Sequence, residues 1–158
     1  MDHLIGQPAW MNIFIEKRSL MLKYFLDTSY AIALSSQTDQ HHSRALRLSK
    51  RLQADESLLI TTRAVLLEIG NAMAKQRYRN AAIKILEAID KDPYIEIISL
   101  SDSLYEEAFQ LYREREDKDG GMTDCISFIT MKHNDLNLAL TADEHFRQAG
   151  YRALYRKR

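Results

Sequence analysis

Two acidic residues stand directly after apolar, strand-like runs of the chain. Asp27 follows the run at residues 23–26, and Asp143 comes shortly after the run at residues 138–141. In open parallel α/β sheets, ligands bind outside the carboxyl ends of the strands, so both carboxylates are candidates for a functional site. For Asp27 an alternative stays open, because an acid between a strand and a helix often serves only to cap that helix.

Two further acids lie on predicted helices. Glu68 falls within a helix predicted over residues 63–76, on the same face as Asn71 and among apolar neighbours, with a solvated surface glutamate as the alternative. Asp124 falls in the first turn of a later helix, for which Thr123 is a good N-cap. The helix dipole favours an acid at that position, so helix stability alone could explain Asp124. Because the rest of that helix is apolar nearly all round, we expect Asp124 to enter the edge of the core.

A meeting of these four acids at one edge of a sheet would create a cluster of like charges. Asp27, Glu68, Asp124 and Asp143 have no lysine or arginine at adjacent positions. Packed carboxylates repel one another and raise each other's pKa, so such a cluster needs a compensating cation. Ligation by oxygen atoms alone points to Mg²⁺ or Mn²⁺. The acids therefore predict a site for a hard divalent ion.

The elements that must position these acids alternate between strands and helices. The patterns predict strands at residues 23–26, 58–62, 94–100, 138–141 and 151–155, and helices at residues 30–35, 39–52, 63–76 and 80–91, followed by two more that begin near residues 103 and 123. Asp39 is the predicted N-cap of the second helix. For the fifth helix, Ser101, Asp102 and Ser103 are all candidate caps, and Ser103 and Glu106 have the spacing of a capping box. Alternation of this kind implies a parallel sheet with right-handed crossovers. Acids after the first and fourth strands could then meet, if those strands are neighbours at a topological switch point.

Composition limits the class of protein. The chain has 158 residues and 22 basic against 22 acidic side chains, so it has one core and no overall positive field to attract nucleic acid. Cys125 is the only cysteine, which excludes an intramolecular disulfide and a cysteine zinc cage and fits a cytoplasmic location. No run approaches the roughly 18 apolar residues of a membrane span, so we expect no membrane association. Residues 1–20 lack the periodicity of the remainder, and we interpret them as an N-terminal extension of unknown role.

Four short motifs, in order and at this spacing, resemble those of PIN-domain nucleases and in particular the small VapC-like toxins of toxin–antitoxin pairs. They are Tyr-Phe-Leu-Asp27-Thr-Ser, Glu68-Ile-Gly-Asn71, Thr-Asp124-Cys-Ile-Ser-Phe and Thr-Ala-Asp143-Glu-His-Phe. The resemblance covers about residues 22–155, which makes residues 21–158 the PIN domain. It implies a three-layer α/β fold with a parallel five-stranded sheet in the order 3-2-1-4-5 and helices on both faces.

The resemblance also implies a function. By it, the chain is a divalent-metal-dependent endoribonuclease that hydrolyses RNA phosphodiester bonds, with a cognate antitoxin as partner and a homodimer as its assembly. Asp27, Glu68, Asp124 and Asp143 match the acidic cluster that binds Mg²⁺ or Mn²⁺. Supporting hydroxyl and amide groups would come from four residues, Thr28, Ser29, Asn71 and Thr123.

Other interpretations of the acids stay open. A non-toxin PIN-domain nuclease that processes RNA would use the same residues. An Asp-based phosphatase also begins with an acid after its first strand but typically needs a second acid two residues on, where Ser29 stands, and a phosphoacceptor domain would need a lysine in place of Asp143. A catalytically idle scaffold would need none of the four acids. Asp117 and Asp119 could join the site or only solvate their loop, and His145 is interpreted as a packing and hydrogen-bonding residue.

Overall fold

The computed structural model describes residues 8, 10–13, 16, 21–116 and 119–155. Its strands are β1 (Lys23–Leu26), β2 (Leu58–Thr62), β3 (Ile95–Ile98), β4 (Leu138–Leu140) and β5 (Arg152–Ala153). They form one parallel sheet in the order β3-β2-β1-β4-β5. Central β1 pairs on both sides, since Phe25 is in register with Ile60 of β2 and with Ala139 of β4. The predicted fold class and strand order are confirmed.

Helices connect consecutive strands. They are α1 (Thr28–Ser35), α2 (His42–Ala54), α3 (Arg63–Ala72), α4 (Gln76–Lys91), α5 (Asp102–Glu114), α6 (Met122–His133) and α7 (Glu144–Gln148). Helices α1 and α2, α3 and α4, and α5 and α6 pack in pairs. The chain runs outward from β1 to β3 and then crosses back to β4 on the other side of β1, so right-handed crossovers place helices on both faces of the sheet. The direction reverses between β1 and β4, which is the topological switch point.

Three aromatic rings hold the short helix α7 against the sheet. Phe146 of α7 is fully buried, with its ring centroid 5.1 Å from that of Phe128 in α6 and 6.0 Å from that of Phe25 in β1. Burial of one such side chain contributes about 1.5–3 kcal/mol to stability. Because Asp143 and His145 lie within three residues of Phe146, this packing also fixes the backbone that carries them.

The N-caps of two helices differ from those predicted, and a third is one of three candidates. Of the three candidate caps of α5, Ser101 is the one used, since its hydroxyl accepts a hydrogen bond from the Leu104 amide at 3.1 Å, and Ser103 lies inside the helix. Helix α6 is capped by Gly121 and not by Thr123. The predicted cap Asp39 of α2 is also wrong, since the helix starts at residue 42 after His41. In each case several residues suited to capping lie close together, and tertiary packing selects among them.

Element boundaries differ most where packing, and not local pattern, decides them. The predicted helix over residues 63–76 ends at Ala72, and α4 starts at Gln76, four residues before its predicted start, because Lys75 between them is in an extended conformation. The edge strands β3 and β5 are shorter than predicted, since each pairs on one side only. Strands β1 and β2 have the predicted bounds.

The predicted N-terminal extension lies largely outside the described residues. Of its residues, positions 8, 10–13 and 16 are described, and the side chains of Trp10 and Ile13 are exposed. Within the described part of the chain, no helix has both the length and the apolar character needed to cross a bilayer.

Candidate metal centre

Asp27 lies at the carboxyl end of β1 and is buried, with only 4% of its surface exposed. Its Oδ2 accepts hydrogen bonds from the Thr141 hydroxyl at 2.7 Å and from the Ser29 hydroxyl at 2.9 Å. The same oxygen caps α1 by accepting from the Ser29 amide at 3.4 Å. Burial raises the pKa of Asp27, while the hydrogen bonds from Thr141 and Ser29 act in the opposite direction. Asp27 is therefore both a helix cap and a buried carboxylate at the switch point.

A network of hydroxyl groups surrounds that carboxylate. The Tyr155 hydroxyl lies 2.9 Å from the Ser29 hydroxyl, which in turn accepts a hydrogen bond from the Ala142 amide at 3.3 Å. The Thr141 hydroxyl accepts from the Asp143 amide at 3.0 Å. Burial raises the pKa of Tyr155, so its phenol stays protonated and can donate to Ser29. The network ties the end of β1 to the end of β4.

Glu68 reaches the site from the second turn of α3. Its side chain is partly buried, and its Oε2 accepts a hydrogen bond from the Thr28 hydroxyl at 2.5 Å. Thr28 directly follows Asp27, and the negative charge of Glu68 contributes to the raised pKa of Asp27. Glu68 is thus held close to Asp27 by the first residue of α1.

Asp124 lies in the first turn of α6, as predicted. Its side chain is 15% exposed, and its Oδ2 accepts a hydrogen bond from the Gly121 amide at 3.0 Å. Burial is the largest cause of its raised pKa, and the like charges of Asp143 and Asp27 add to it. The carboxylate therefore caps its own helix and also faces the other acids.

Asp143 caps α7, since its Oδ1 accepts a hydrogen bond from the His145 amide at 2.9 Å. The His145 ring points back over the acids, with Nδ1 3.2 Å from Asp143 Oδ1 and 3.4 Å from Asp124 Oδ2. One ligand atom from each of these three residues lies within 4.8 Å of the other two. The sequence predicts a packing and hydrogen-bonding role for His145. Phe146 next to it fills the packing role, and the His145 ring faces Asp124 and Asp143 instead.

The structure brings the four predicted acids to one edge of the sheet, although the described group of three ligand atoms within 4.8 Å of one another comprises Asp124, Asp143 and His145 and leaves out Asp27 and Glu68. Asp27 interacts with the charge of Glu68, and Asp124 interacts with the charge of Asp143. The charge of Asp27 also contributes to the raised pKa of Asp124, which links the two pairs. Among the residues that the structure describes, no lysine or arginine forms an ion pair with any of the four. Four carboxylates at one edge of the sheet, with no described lysine or arginine paired to them and with the pKa values of Asp27 and Asp124 raised by burial, form a donor set that suits a divalent cation. The residues present therefore fit Mg²⁺ or Mn²⁺.

The four predicted supporting residues differ in position. Thr28 and Ser29 contact Glu68 and Asp27 through their hydroxyl groups. Asn71 is exposed on α3 and Thr123 is half-buried on α6, and the supporting role of both stays a prediction. In the loop before α6, Asp119 is exposed, and Asp117 lies outside the described residues.

Thr141 and Tyr155 are site residues that the sequence interpretation missed. Thr141 stands in the motif that contains Asp143, so its position two residues before the acid was an available signal. Tyr155 had none, since it lies nine residues beyond the end of that motif and contacts Ser29 only because the chain folds back after β5.

A second concave surface lies apart from the acids. It is an apolar groove of about 870 Å³, and none of the four acids lines it. Helices α1, α2 and α4 and the start of β3 form its walls. Its apolar lining includes Tyr30, Leu34, Leu52, Ile85, Ile89 and Ile95.

Comparison with known proteins places this geometry in a family. Several solved structures share the fold, including one from Mycobacterium tuberculosis and one from Rickettsia felis. VapC20 of Mycobacterium tuberculosis, described as a sarcin-ricin loop cleaving toxin, superposes with a TM-score of 0.73 at 24% identity over 83% of this chain and 98% of that chain. VapBC2 of Rickettsia felis, solved bound to a DNA fragment from its promoter, superposes with a TM-score of 0.58 at 18% identity over 81% of this chain and 93% of that chain. No curated protein matches the sequence. The PIN domain family profile matches residues 24–150, so the chain belongs to the PIN domain family.

Proposed function

We propose that this PIN domain is a divalent-metal-dependent endoribonuclease that hydrolyses RNA phosphodiester bonds, and that it is the toxin of a type II toxin–antitoxin pair. One observation carries the enzymatic part. Four carboxylates from β1, α3, α6 and the β4–α7 junction meet at one edge of the sheet, and no described lysine or arginine forms an ion pair with them. Oxygen donors of this kind are the ligands of Mg²⁺ and Mn²⁺.

The resemblance to PIN-domain nucleases supports the following roles for the acids. Asp27, Asp124 and Asp143 would hold the ion, directly or through water, and Glu68 would bind it or orient the attacking water. When bound, such an ion holds the scissile phosphate, lowers the pKa of a bound water and stabilises charge on the leaving oxygen.

The surrounding hydroxyl groups fix these carboxylates before substrate arrives. Thr28 holds Glu68, and Ser29 and Thr141 hold Asp27. Donors that are already in place need little reorganisation during the reaction, which favours catalysis. The mechanism therefore depends on the hydroxyl network as well as on the acids.

The cleavage assay tests this proposal with Asp27→Asn and Asp124→Asn. Both replacements keep side-chain volume and remove a charge, so we expect RNA cleavage in Mg²⁺ or Mn²⁺ to fall at least about 10²-fold with the fold retained by circular dichroism. Glu96→Gln, an exposed acid on β3, is the matched control and should cleave like the unmodified protein. Full cleavage by either aspartate variant would remove the nuclease assignment.

Two alternative functions predict different products. A phosphatase would hydrolyse phosphate monoesters, and a phosphoacceptor domain would take up phosphate on Asp27 without cleaving RNA. Ser29 stands where a phosphatase has its second acid, and its hydroxyl is engaged by Asp27 and Tyr155. We therefore expect cleavage of RNA and no turnover of a phosphate monoester such as p-nitrophenyl phosphate. A PIN-domain nuclease that is not a toxin is distinguished by expression in a bacterial host, where a toxin arrests growth.

The proposed antitoxin would dock in the apolar groove between α1, α2 and α4. The R. felis neighbour is a toxin–antitoxin pair, which supports a protein partner for this fold. A groove lined by isoleucine and leucine matches the apolar face of an amphipathic helix. Ile85→Asp at the half-buried groove wall should abolish co-purification with the cognate antitoxin while RNA cleavage persists. Unchanged co-purification would contradict this docking site.

The proposed homodimer is a separate expectation from the resemblance to VapC-like toxins. Light scattering of the purified chain tests it directly, with twice the chain mass of 18.4 kDa as the expected result. A mass that stays at one chain across the concentration range would contradict the dimer.

A further inference from the structure

His145 is the described basic side chain that lies against the acids, and its position is fixed by its neighbours. Its amide donates to Asp143 Oδ1 at 2.9 Å, and the adjacent Phe146 is fully buried between Phe25 and Phe128. The ring is therefore held over the site by two independent attachments of α7 and does not simply extend from the surface.

The ring nitrogen that faces the acids lacks a hydrogen-bond partner. Nδ1 of His145 is buried from solvent, and among the described residues it makes no contact with hydrogen-bond geometry, although Asp143 Oδ1 and Asp124 Oδ2 lie 3.2 and 3.4 Å away. Buried polar atoms are normally satisfied, so such an orphaned atom indicates a missing partner. Because Nδ1 faces the two carboxylate oxygens, we infer that the missing partner lies between the ring and these acids.

The spacing of these three atoms matches that of ligands on one ion. Neighbouring ligands of an octahedral ion with bonds of about 2.1 Å lie about 3.0 Å apart. The distances from Nδ1 to the two oxygens are close to this value, and all three ligand atoms lie within 4.8 Å of one another. The three ligand atoms are thus already spaced to bind one ion.

We propose that His145 is a nitrogen ligand of the metal site, so that the site has a mixed nitrogen and oxygen donor set and favours Mn²⁺ over Mg²⁺. This inference rests on the proposed function, since it concerns the ion used by the nuclease. Mg²⁺ binds oxygen ligands almost exclusively, whereas transition metals bind imidazole well, and a nitrogen donor therefore shifts selectivity toward the transition metal. Loss of the imidazole should remove that preference.

Pulsed EPR of Mn²⁺ bound to the full chain tests the ligand directly. We expect hyperfine coupling to a histidine nitrogen that changes on ¹⁵N labelling of histidine and disappears in His145→Asn, which replaces the ring nitrogen by an amide. His133→Asn is the matched control, because His133 also contacts a carboxylate, Glu107, at 2.9 Å but lies at the end of α6 away from the cluster. The control should retain the coupling.

Binding titrations give the selectivity. We expect the Kd for Mn²⁺ to rise about tenfold or more in His145→Ala, and the Mn²⁺ to Mg²⁺ affinity ratio to fall in His145→Asn. The His145 side chain is only partly buried, at 29% exposed, so both variants should fold, and thermal melting checks this.

Three outcomes would overturn the proposal. If no nitrogen coupling is seen but Asp124→Asn abolishes Mn²⁺ binding, His145 is not a ligand, and the proposed nuclease uses oxygen ligands alone. Persistence of the coupling in His145→Asn would assign the nitrogen to another residue. Failure of the unmodified protein to bind Mn²⁺, together with failure to cleave RNA, would remove the proposed function as well.

Discussion

Replacement of Thr141 by valine isolates the contribution of the hydroxyl network. Thr141 is fully buried, and its hydroxyl both donates to Asp27 Oδ2 at 2.7 Å and accepts from the Asp143 amide at 3.0 Å. Valine keeps the shape of the side chain but can do neither. One substitution therefore disconnects two of the acids while leaving their own side chains in place.

The expected cost follows from the two lost hydrogen bonds. A hydrogen bond to a charged group contributes about 1.5–3 kcal/mol, and a buried amide left without a partner costs about 1–3 kcal/mol. The additional methyl group of valine recovers about 0.8 kcal/mol. We expect a net loss of about 2–5 kcal/mol in the free energy of unfolding of Thr141→Val, or a fall in Tm of about 5–15 °C for a chain of this size.

The matched control is Thr141→Ser, which keeps the hydroxyl and loses one buried methyl group. Its expected cost is about 1 kcal/mol. Urea denaturation of both variants measures the difference, and a Mn²⁺ titration should show affinity about 10–100-fold weaker for the valine variant only, because the ligands lose their outer support. Equal stability and equal Mn²⁺ affinity of the two variants would refute the assigned role of the network.

Two further predictions concern the same site. Burial raises the folded-state pKa of Asp27 above its ordinary 3.8. The contribution of Asp27 to the free energy of unfolding is therefore fully present below about pH 3.8 and is lost as pH rises through the raised folded-state pKa. We therefore expect metal-free Asp27→Asn to become increasingly more stable than the metal-free unmodified protein as pH rises. The difference in the free energy of unfolding should grow by about 1.4 kcal/mol for every pKa unit between the folded and unfolded values. A difference that does not change with pH in urea denaturation would contradict this. Tyr155→Phe should lose about 1 kcal/mol and weaken Mn²⁺ binding. Tyr151 is the matched control, since its hydroxyl donates to the Phe128 carbonyl at 3.1 Å. Tyr151→Phe should lose similar stability with unchanged Mn²⁺ affinity. An equal effect of both variants on Mn²⁺ affinity would count against the network.

Much of the fold could be predicted because local pattern and global topology agree. Apolar runs with abrupt ends gave the bounds of β1 and β2, and alternation with helices gave a parallel sheet. The sequence predicts a break between α3 and α4, but at residues 77–79 instead of 73–75, because the amphipathic pattern runs through residues 73–75 and only the extended backbone at Lys75 interrupts it. The cap of α5 could be narrowed to residues 101–103 but not further, because the choice among them depends on where α5 packs.

The convergence of the acids could be predicted, but not how they are held. Positions after β1 and β4 are neighbours in any sheet with this switch point, so Asp27 and Asp143 meet by topology. The contacts of Tyr155 with Ser29, and of the His145 ring with Asp124, join residues far apart in the chain through side-chain orientation. No spacing in the sequence encodes such contacts.

The central claim is that the four carboxylates jointly hold a divalent ion. Crystals of the protein soaked in Mn²⁺, with anomalous diffraction recorded near the manganese absorption edge, test it most directly. We predict an anomalous peak enclosed by Asp27, Asp124 and Asp143, with Glu68 within direct or water-mediated reach. Carboxylates that stay without a peak at saturating Mn²⁺, or that turn away from one another, would contradict the claim.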